Sequence, residues 1–521
     1  MPVTPLIQAS QAYPAMERMV MGASQSVWLA FRIFDPQTKL RSAEATDEGL
    51  QTWADLARWS CARGVDWRIR LTDFDAIGAT DLHGLSHRSV EGFREAATIN
   101  MQAVAALHPH ELGWLPRLAF WWPARHRLRQ KLADLRVDGT SEHEIAHLYP
   151  GLRAWLNTNP SSRKAAKRWP PFSLHPLVHH EKLMIVDQDR MILGGLDVNE
   201  RRYDDATHER PADQTWHDVS LQVEGEVEPT RQAAQHFANL WNNAIGTQDH
   251  GQNLTPLTAD TSNPPGKSRA LEFVRTFASP RQGALSIGPH DQVHEIEEAH
   301  CQLIETANDL IYLETQYLRS RVIAEVLGRR AAQNPKLHLV ALLPAAPDDL
   351  AFENNTGPDS KHGTWLQARA VDTIKRAFGD RVIFLSLVGA KAPEGDPDDI
   401  TEHARVNRQP IIYVHSKVMI VDGRQAVVSS ANLNGRSMRW DTESGVVWRD
   451  AAAVSAFQQA LWAKHFKTLQ APNILEDKTS SVVDAFRFAS APSQDTFLAL
   501  YPHHRTKRFA ASKMYVPDNM V

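Results

Sequence analysis

Only two cysteines occur in the 521 residues, Cys61 and Cys301, one in each half of the chain. They supply neither a disulfide framework nor a C-x-x-C metal knuckle, and both fall in segments that read as helical, as buried free thiols. Long apolar runs are missing as well. Nowhere do about 20 consecutive apolar residues occur, so the sequence offers no transmembrane helix. The opening MPVTPLIQASQAYPAMERMV lacks the basic-then-apolar order of a secretory signal. The expectation is a soluble protein without a Sec signal, cytoplasmic or peripheral to a membrane, with export open only by a signal-independent route. Basic charge is not in excess: 57 Lys and Arg against 61 Asp and Glu leave a net charge of -4. That balance argues against a protein that grips nucleic acid mainly through phosphates, and no nucleic-acid partner is expected. With 42% hydrophobic residues, disorder of the whole chain is excluded too.

What the chain does have is histidine, 24 in all, and two stretches with one plan. HHEKLMIVDQDRMILGGLD runs from His179 to Asp197, and YVHSKVMIVDGRQAVVSSANLN from Tyr413 to Asn434. In each, a His and a Lys stand two residues apart, apolar residues follow, and an Asp closes the run: His180, Lys182, Asp187 and His415, Lys417, Asp422.

The repeat extends on both sides. SVWLAFRIF (Ser26 to Phe34) is answered by DLIYLETQY (Asp309 to Tyr317), and VDWRIRLTD by KLHLVALLP. DVSLQVEG and ESGVVWRD correspond downstream, each followed by a helical pattern. Strands alternating with helices predict an α/β fold. The expected architecture is two similar lobes, each a mainly parallel sheet flanked by helices, packed about a pseudo-twofold axis. The N-terminal lobe covers 1–247 with an insertion at about 76–176, a Pro- and Thr-rich linker covers 248–267, and the C-terminal lobe with its tail covers 268–521. In the first helix of the plan, Thr46 and Asp47 read as the cap and Gly64 as the stop.

Residues two apart on a strand face one side, so each His projects with its Lys. If the lobes pack about their axis, two imidazoles and two ammonium groups converge. That set suits a phosphodiester: one neutral His attacks phosphorus, the other protonates the departing oxygen, and the lysines hold the non-bridging oxygens. No metal or other cofactor is required. Asp187 and Asp422 fall on the opposite strand parity and take a supporting role. The residues alone do not say which His attacks.

The pattern H-x-K-x4-D with G-[SG]-x-N resembles the phospholipase D superfamily. GGLD, RRYDD and WHDVSLQVEG are similar to the first half of the eukaryotic-type catalytic core, and SSANLNGRSM, DTES and YLETQYL to its second half. The resemblance implies a covalent phosphohistidine on His180 and His415 as general acid, then base. It implies hydrolysis of phosphatidylcholine or phosphatidylethanolamine to phosphatidic acid, with transfer to alcohols beside it. It also implies a carboxylate downstream of each motif that orients the motif's His, which the strand alignment makes Asp218 and Glu443. Asn432 keeps its amide donor, although Ser429 stands where the motif usually has Gly, followed by Ser430, so a changed loop rather than lost function is expected. Asp197 stands at the Asn position of the first motif and is expected to orient other groups. No lipid-targeting domain is recognisable, so a monomeric core acting on phospholipid at a membrane surface is expected.

Two features stand outside that plan. Trp114, Trp121 and Trp122 precede Arg125, Arg127, Arg129 and Lys131, which suits contact with a membrane interface, although aromatic residues are more often core. HEIAH (His143 to His147) fits the zinc pattern H-E-x-x-H but lacks a third ligand. Competing readings are a nuclease of the same superfamily, a cardiolipin-synthase-like transferase, and a lipid-binding module without catalysis. The last is disfavoured by the intact His and Lys pairs.

Overall fold

The computed structural model describes residues 3–137, 139–156, 173–225, 227–247, 253–259, 270–352, 357–389, 402–467, 469–471 and 482–503. Most of the expected linker and the end of the tail lie outside these residues. The strands in the first half are β1 (Val3–Ile7), β2 (Ser26–Phe31), β3 (Asp66–Thr72), β4 (Met101–Ala106), β5 (Lys182–Val186), β6 (Arg190–Gly194), β7 (Trp216–His217) and β8 (Val219–Glu224). In the second half they are β9 (Leu271–Ser279), β10 (His290–His294), β11 (Leu310–Glu314), β12 (His338–Leu342), β13 (Val382–Val388), β14 (Arg405–Val406), β15 (Gln409–Val414), β16 (Val418–Val421), β17 (Gln425–Ser429), β18 (Glu443–Trp448) and β19 (Leu498–Leu500).

The chain is α/β, with two large sheets. One has the order β1-β8-β6-β5-β2-β3-β4, and within the other the run β9-β18-β17-β16-β11-β12-β13 repeats that order strand for strand. The sheets are mixed rather than mainly parallel. Helices Trp53–Ala62 and Thr80–Ala96 make β2, β3 and β4 parallel, whereas tight hairpins force the motif strands to run antiparallel. Asp187 and Gln188 sit at φ 51° and 58°, and Asp422 and Gly423 at 53° and 63°, the left-handed turn that joins two strands closely.

Three layers of core result. Helices Ala9–Met21 and Trp53–Ala62 cover the outer face of the first sheet, and Arg321–Gln333 and Pro358–Phe378 that of the second. Between the sheets lie the helices Val227–Thr247 and Ala451–Phe466, whose Phe237, Trp241, Phe457 and Trp462 share one cluster with residues of both sheets. The motif strands β5 and β16 are buried along their whole length. Burial on both faces removes the polar alternation that would mark a register.

Several local expectations shift. The repeats align one residue away from the sequence match: Val27 pairs with Val186 as Ile311 pairs with Val421, which makes Val27 the counterpart of Ile311. The helix expected from Thr46 and Asp47 is two helices. Its main part, Trp53–Ala62, is capped by Thr52 in a reciprocal box with Asp55, and Gly49 at φ 71° separates it from Ala43–Asp47. Part of the 76–176 segment belongs to the sheet, since helix Thr80–Ala96 leads into β4. Cys61 is buried and Cys301 only partly so, and both are free. No helix among the described residues is long and apolar enough to cross a membrane.

Candidate active site

The two His-x-Lys segments meet where the lobes exchange backbone hydrogen bonds. His180 N donates to Thr442 O at 2.8 Å and His415 N to His217 O at 2.8 Å. The short strand β7 adds itself in parallel to β15 of the other lobe. Both motif histidines line one cavity of about 640 Å³.

The orienting carboxylates are crossed. His180 Nδ1 lies 3.1 Å from Glu443 Oε2, and His415 Nδ1 lies 2.7 Å from Asp218 Oδ2. The expectation that each carboxylate serves the His of its own repeat is therefore corrected. Asp218 stands between β7 and β8, and Glu443 opens β18, each facing the other lobe's motif, so only packing of the two lobes brings it into reach. A carboxylate on Nδ1 fixes the tautomer that leaves Nε2 unprotonated and nucleophilic. Lys182 Nζ stands 3.1 Å from Nε2 of His180 and donates to the His180 carbonyl at 2.9 Å. Lys417 Nζ likewise donates to the His415 carbonyl.

Burial sets the protonation of the site. His180 is held well below the usual imidazole range by burial and by Lys182, and His415 by burial and Lys417. Burial lowers Lys417 to about 7 and raises Asp218 to about 7. Glu443 is also pushed well up by burial, against the pull of Lys182 and a 2.5 Å hydrogen bond from Ser430 Oγ. An arriving phosphodiester adds negative charge, which favours the protonated form of any imidazole beside it.

The remaining expected residues divide. Asn432 lines the cavity, and its Oδ1 has no partner among the described residues. Asp197, its counterpart, is buried instead against β2, accepting from Ile33 N at 3.0 Å, with Arg32 at 4.0 Å. Asp187 and Asp422 lie at the far end of their strands. Asp187 accepts the backbone N–H groups of Ser24, Gln25 and Ser26, and Asp422 those of Asn308, Asp309 and Leu310. They fix where β2 and β11 enter and touch no reacting group.

Trp114 and Trp122 are exposed, at 44% and 68%, and Trp121 is half-buried with Arg125 over its ring. For Trp114 and Trp122 the core reading does not hold. Gly113 N donates to Ser286 O and Leu115 N to Ala284 O, which lays this segment against a loop of the second lobe where Leu285 and Ile287 are exposed. The same segment reaches the cavity through Leu112 N and Leu174 O, 3.0 Å apart.

Sequence reading missed a buried polar layer beneath the motifs. Glu181, between His180 and Lys182, pairs with Arg70 and His236; burial would raise it, but those partners hold it at about 2. Ser416, at the equivalent position, donates to Glu314, which also accepts from Tyr312, His217 and His465. A carboxylate inside the apolar run LIYLE was the available signal. His217, Glu314 and His465, and separately Asp73, His83 and His87, are close enough to share a cation. Hydrogen bonds already engage both groups: Asp73 holds His83 and His87, and His83 Nε2 accepts from Gly151 N. His143 and His147 of HEIAH are exposed and join no third ligand among the described residues.

Residues 300–464 match the family model described as cardiolipin synthase, PLD-like domain. The chain is 26% identical over 401 residues to phospholipase D1 of Schizosaccharomyces pombe, covering 62% of this chain and 28% of that protein. It is 24% identical to phospholipase D alpha 2 of Oryza sativa subsp. japonica, covering 56% and 49%. The chain thus spans half or less of these relatives' length. Among solved structures, a phosphatidylserine synthase of Haemophilus influenzae aligns over 94% of this chain and 92% of its own at 10% identity and a TM-score of 0.49. These matches support the phospholipase D superfamily for this chain, with the PLD-like domain model falling on its second half.

Proposed function

We propose that this chain is a phospholipase D: it cleaves the headgroup-side phosphodiester of glycerophospholipids, releasing phosphatidic acid and the headgroup alcohol. The observation that carries this reading is the crossed pair of His–carboxylate contacts: both histidines line one cavity, and each has its motif lysine bonded to it from beneath. His180 Nε2 attacks phosphorus, the bond from phosphorus to the headgroup oxygen breaks, and His415 gives that oxygen its proton. His415 then takes a proton from water, the hydroxide displaces His180, and the electron pair of the P–N bond returns to the ring. A primary alcohol in place of water gives the transphosphatidylation product. Lys182, Lys417 and Asn432 hold the non-bridging oxygens as charge shifts, so no step calls on a metal ion.

Lipid rather than nucleic acid is favoured by the rim. Trp114, Leu115, Trp122, Leu285 and Ile287 are exposed large hydrophobic residues, beside a helix whose Arg125, Arg127 and Arg129 make no ion pair with a described residue. Rings at the headgroup level with cations beside them suit an anionic bilayer surface. The lobes as drawn from the sequence, the monomeric state and a peripheral location belong to the same proposal.

Pure protein with mixed phospholipid vesicles, ethanol and chelator should yield phosphatidic acid and phosphatidylethanol. No lipid product, with DNA cut under matched conditions, would overturn the reading. His415→Asn should accumulate phosphoenzyme from a substrate with an activated leaving group and His180→Asn should not; the opposite result exchanges their roles. Trp114→Ala with Trp122→Ala should weaken vesicle binding more than turnover of a soluble short-chain substrate, and equal losses would remove the rim from membrane contact.

A further inference from the structure

The cavity is lined unevenly about its two histidines. The first half contributes the apolar residues Phe74, Ala79, Leu82, Leu174, Pro176 and Val178 on the approach to His180, with Arg32, Asp75 and His175 among them. A second, polar part of the lining includes Arg202, Gln316, Arg319, Asp348 and Ser360, and is tied to the His415 strand through Arg202, Gln316 and Asp348. Arg202 belongs to this polar wall although it comes from the first half. Its guanidinium lies 3.5 Å over the Trp216 ring, and that ring meets the His415 ring edge-on at 5.7 Å. Gln316 and the backbone of Asp348 both bond the hydroxyl of Tyr413, two residues before His415.

In an in-line displacement the leaving oxygen departs opposite the nucleophile. With His180 attacking and His415 donating, the headgroup occupies the polar wall and the diacylglycerol side the apolar one. The proposed reaction assigns Lys182 and Lys417 to the reacting phosphate. Arg202 and Arg319 are therefore surplus to it, and neither guanidinium makes a hydrogen bond to a described residue. Arg202 is buried with an unpartnered Nη1, and Arg319 has an unpartnered Nε. Both are held in place from behind. Arg319 stacks 3.9 Å over the Tyr317 ring and packs so closely on Gly363 that a Cβ there would lie 2.5 Å from its Cζ. Asp348, bonded to Arg201 at 3.1 Å, adds one carboxylate to the wall. Two fixed guanidinium groups with no hydrogen-bonding partner among the described residues, both in the lining of one cavity, are a receptor for an oxyanion.

We propose that the substrate's headgroup carries an anionic group of its own, a carboxylate or a second phosphate, which Arg319 and Arg202 hold while Asp348 receives an ammonium where the headgroup has one. The assignment rests on the proposed phospholipase D reading and narrows it, away from the choline and ethanolamine lipids that the sequence resemblance implied. It places specificity in the wall beside the general acid.

Short-chain lipids below their micellar limit test this without a bilayer's surface charge. The probes are dihexanoyl phosphatidylserine, phosphatidylglycerophosphate, phosphatidylglycerol and phosphatidylcholine. Phosphatidylglycerol carries the same reacting phosphate as phosphatidylglycerophosphate but no second anion. The expected kcat/KM for the serine or the glycerophosphate lipid is about tenfold or more above the other two. A gain on serine alone assigns the site to a carboxylate, and on glycerophosphate alone to a phosphate. Arg319→Gln should lower the ratio of the favoured lipid to phosphatidylcholine about tenfold, and Gly363→Ala, which displaces the guanidinium without removing its charge, should lower it in the same direction. Equal turnover of all four lipids, or equal loss on all four in Arg319→Gln, would overturn the proposal. Headgroup release from none of them would instead overturn the phospholipase D reading, and the headgroup assignment with it.

Discussion

The two halves of the site use one plan with different parts. Gly194 and Gly195 occupy the positions that Ser429 and Ser430 hold in the second half, each the same number of residues after its motif Lys. In the first half a Cβ on Gly195 would lie 2.2 Å from Asp218 Oδ1, so the short carboxylate uses the space a side chain would fill. In the second half Ser430 fills that space and its hydroxyl donates to the longer Glu443. The surroundings differ as well: the His180 side chain is 13% exposed and that of His415 5%. The small residue and the carboxylate across from it differ together between the halves, Gly195 with Asp218 and Ser430 with Glu443.

The largest break in the comparison should come from the carboxylates. Asp218→Asn disturbs the tautomer of His415 and Glu443→Gln that of His180, and each should lower kcat by about 10,000-fold in stopped assays on a soluble substrate. If only one variant did so, the crossed arrangement would serve a single His. Exchange at the small position should separate the halves next. Gly195→Ser drives Asp218 aside and should lower kcat about a hundredfold, whereas Ser430→Gly loses one hydrogen bond to Glu443 and should lower it about tenfold. Equal effects would erase the difference between the halves.

The pH profile should follow the second half. Burial has lowered Lys417 to about 7. Its charge is therefore complete below that pH and lost as the pH rises through it. kcat/KM on a soluble substrate should fall above about pH 7, with Asp218 and Lys417 titrating as a pair. A flat profile to pH 9 would remove Lys417 from phosphate binding. The smallest effect on catalysis should come from the far ends of the strands. Asp422→Ala strips three backbone N–H groups of their acceptor and should lower unfolding stability by about 1–3 kcal/mol, read by denaturant titration, with the loss in kcat well behind.

Much of this was legible in the sequence because a repeated spacing carries its own control. The strands, their crossover helices and the four His and Lys residues all follow from it. The residue-by-residue match of the repeats slipped by one because β2, β5, β11 and β16 are buried on both faces and so carry no polar alternation. The crossing of Asp218 and Glu443 was hidden for another reason. A strand pattern says which carboxylate faces the site but not whose His it meets. Thr52 rather than Thr46 caps its helix because Gly49 turns the chain between them. The exposure of Trp114 and Trp122 could not be read from composition, since aromatic residues are more often interior.

The crossed carboxylates have a consequence for how the chain could be divided. Neither repeat contains a finished histidine–carboxylate pair, for each histidine meets a carboxylate encoded in the other. A cut in the connection between the halves should leave two inactive fragments whose activity returns only on mixing, and whose separate evolution is constrained at four positions, His180 with Glu443 and His415 with Asp218. The molecule is in this sense a heterodimer written as one polypeptide.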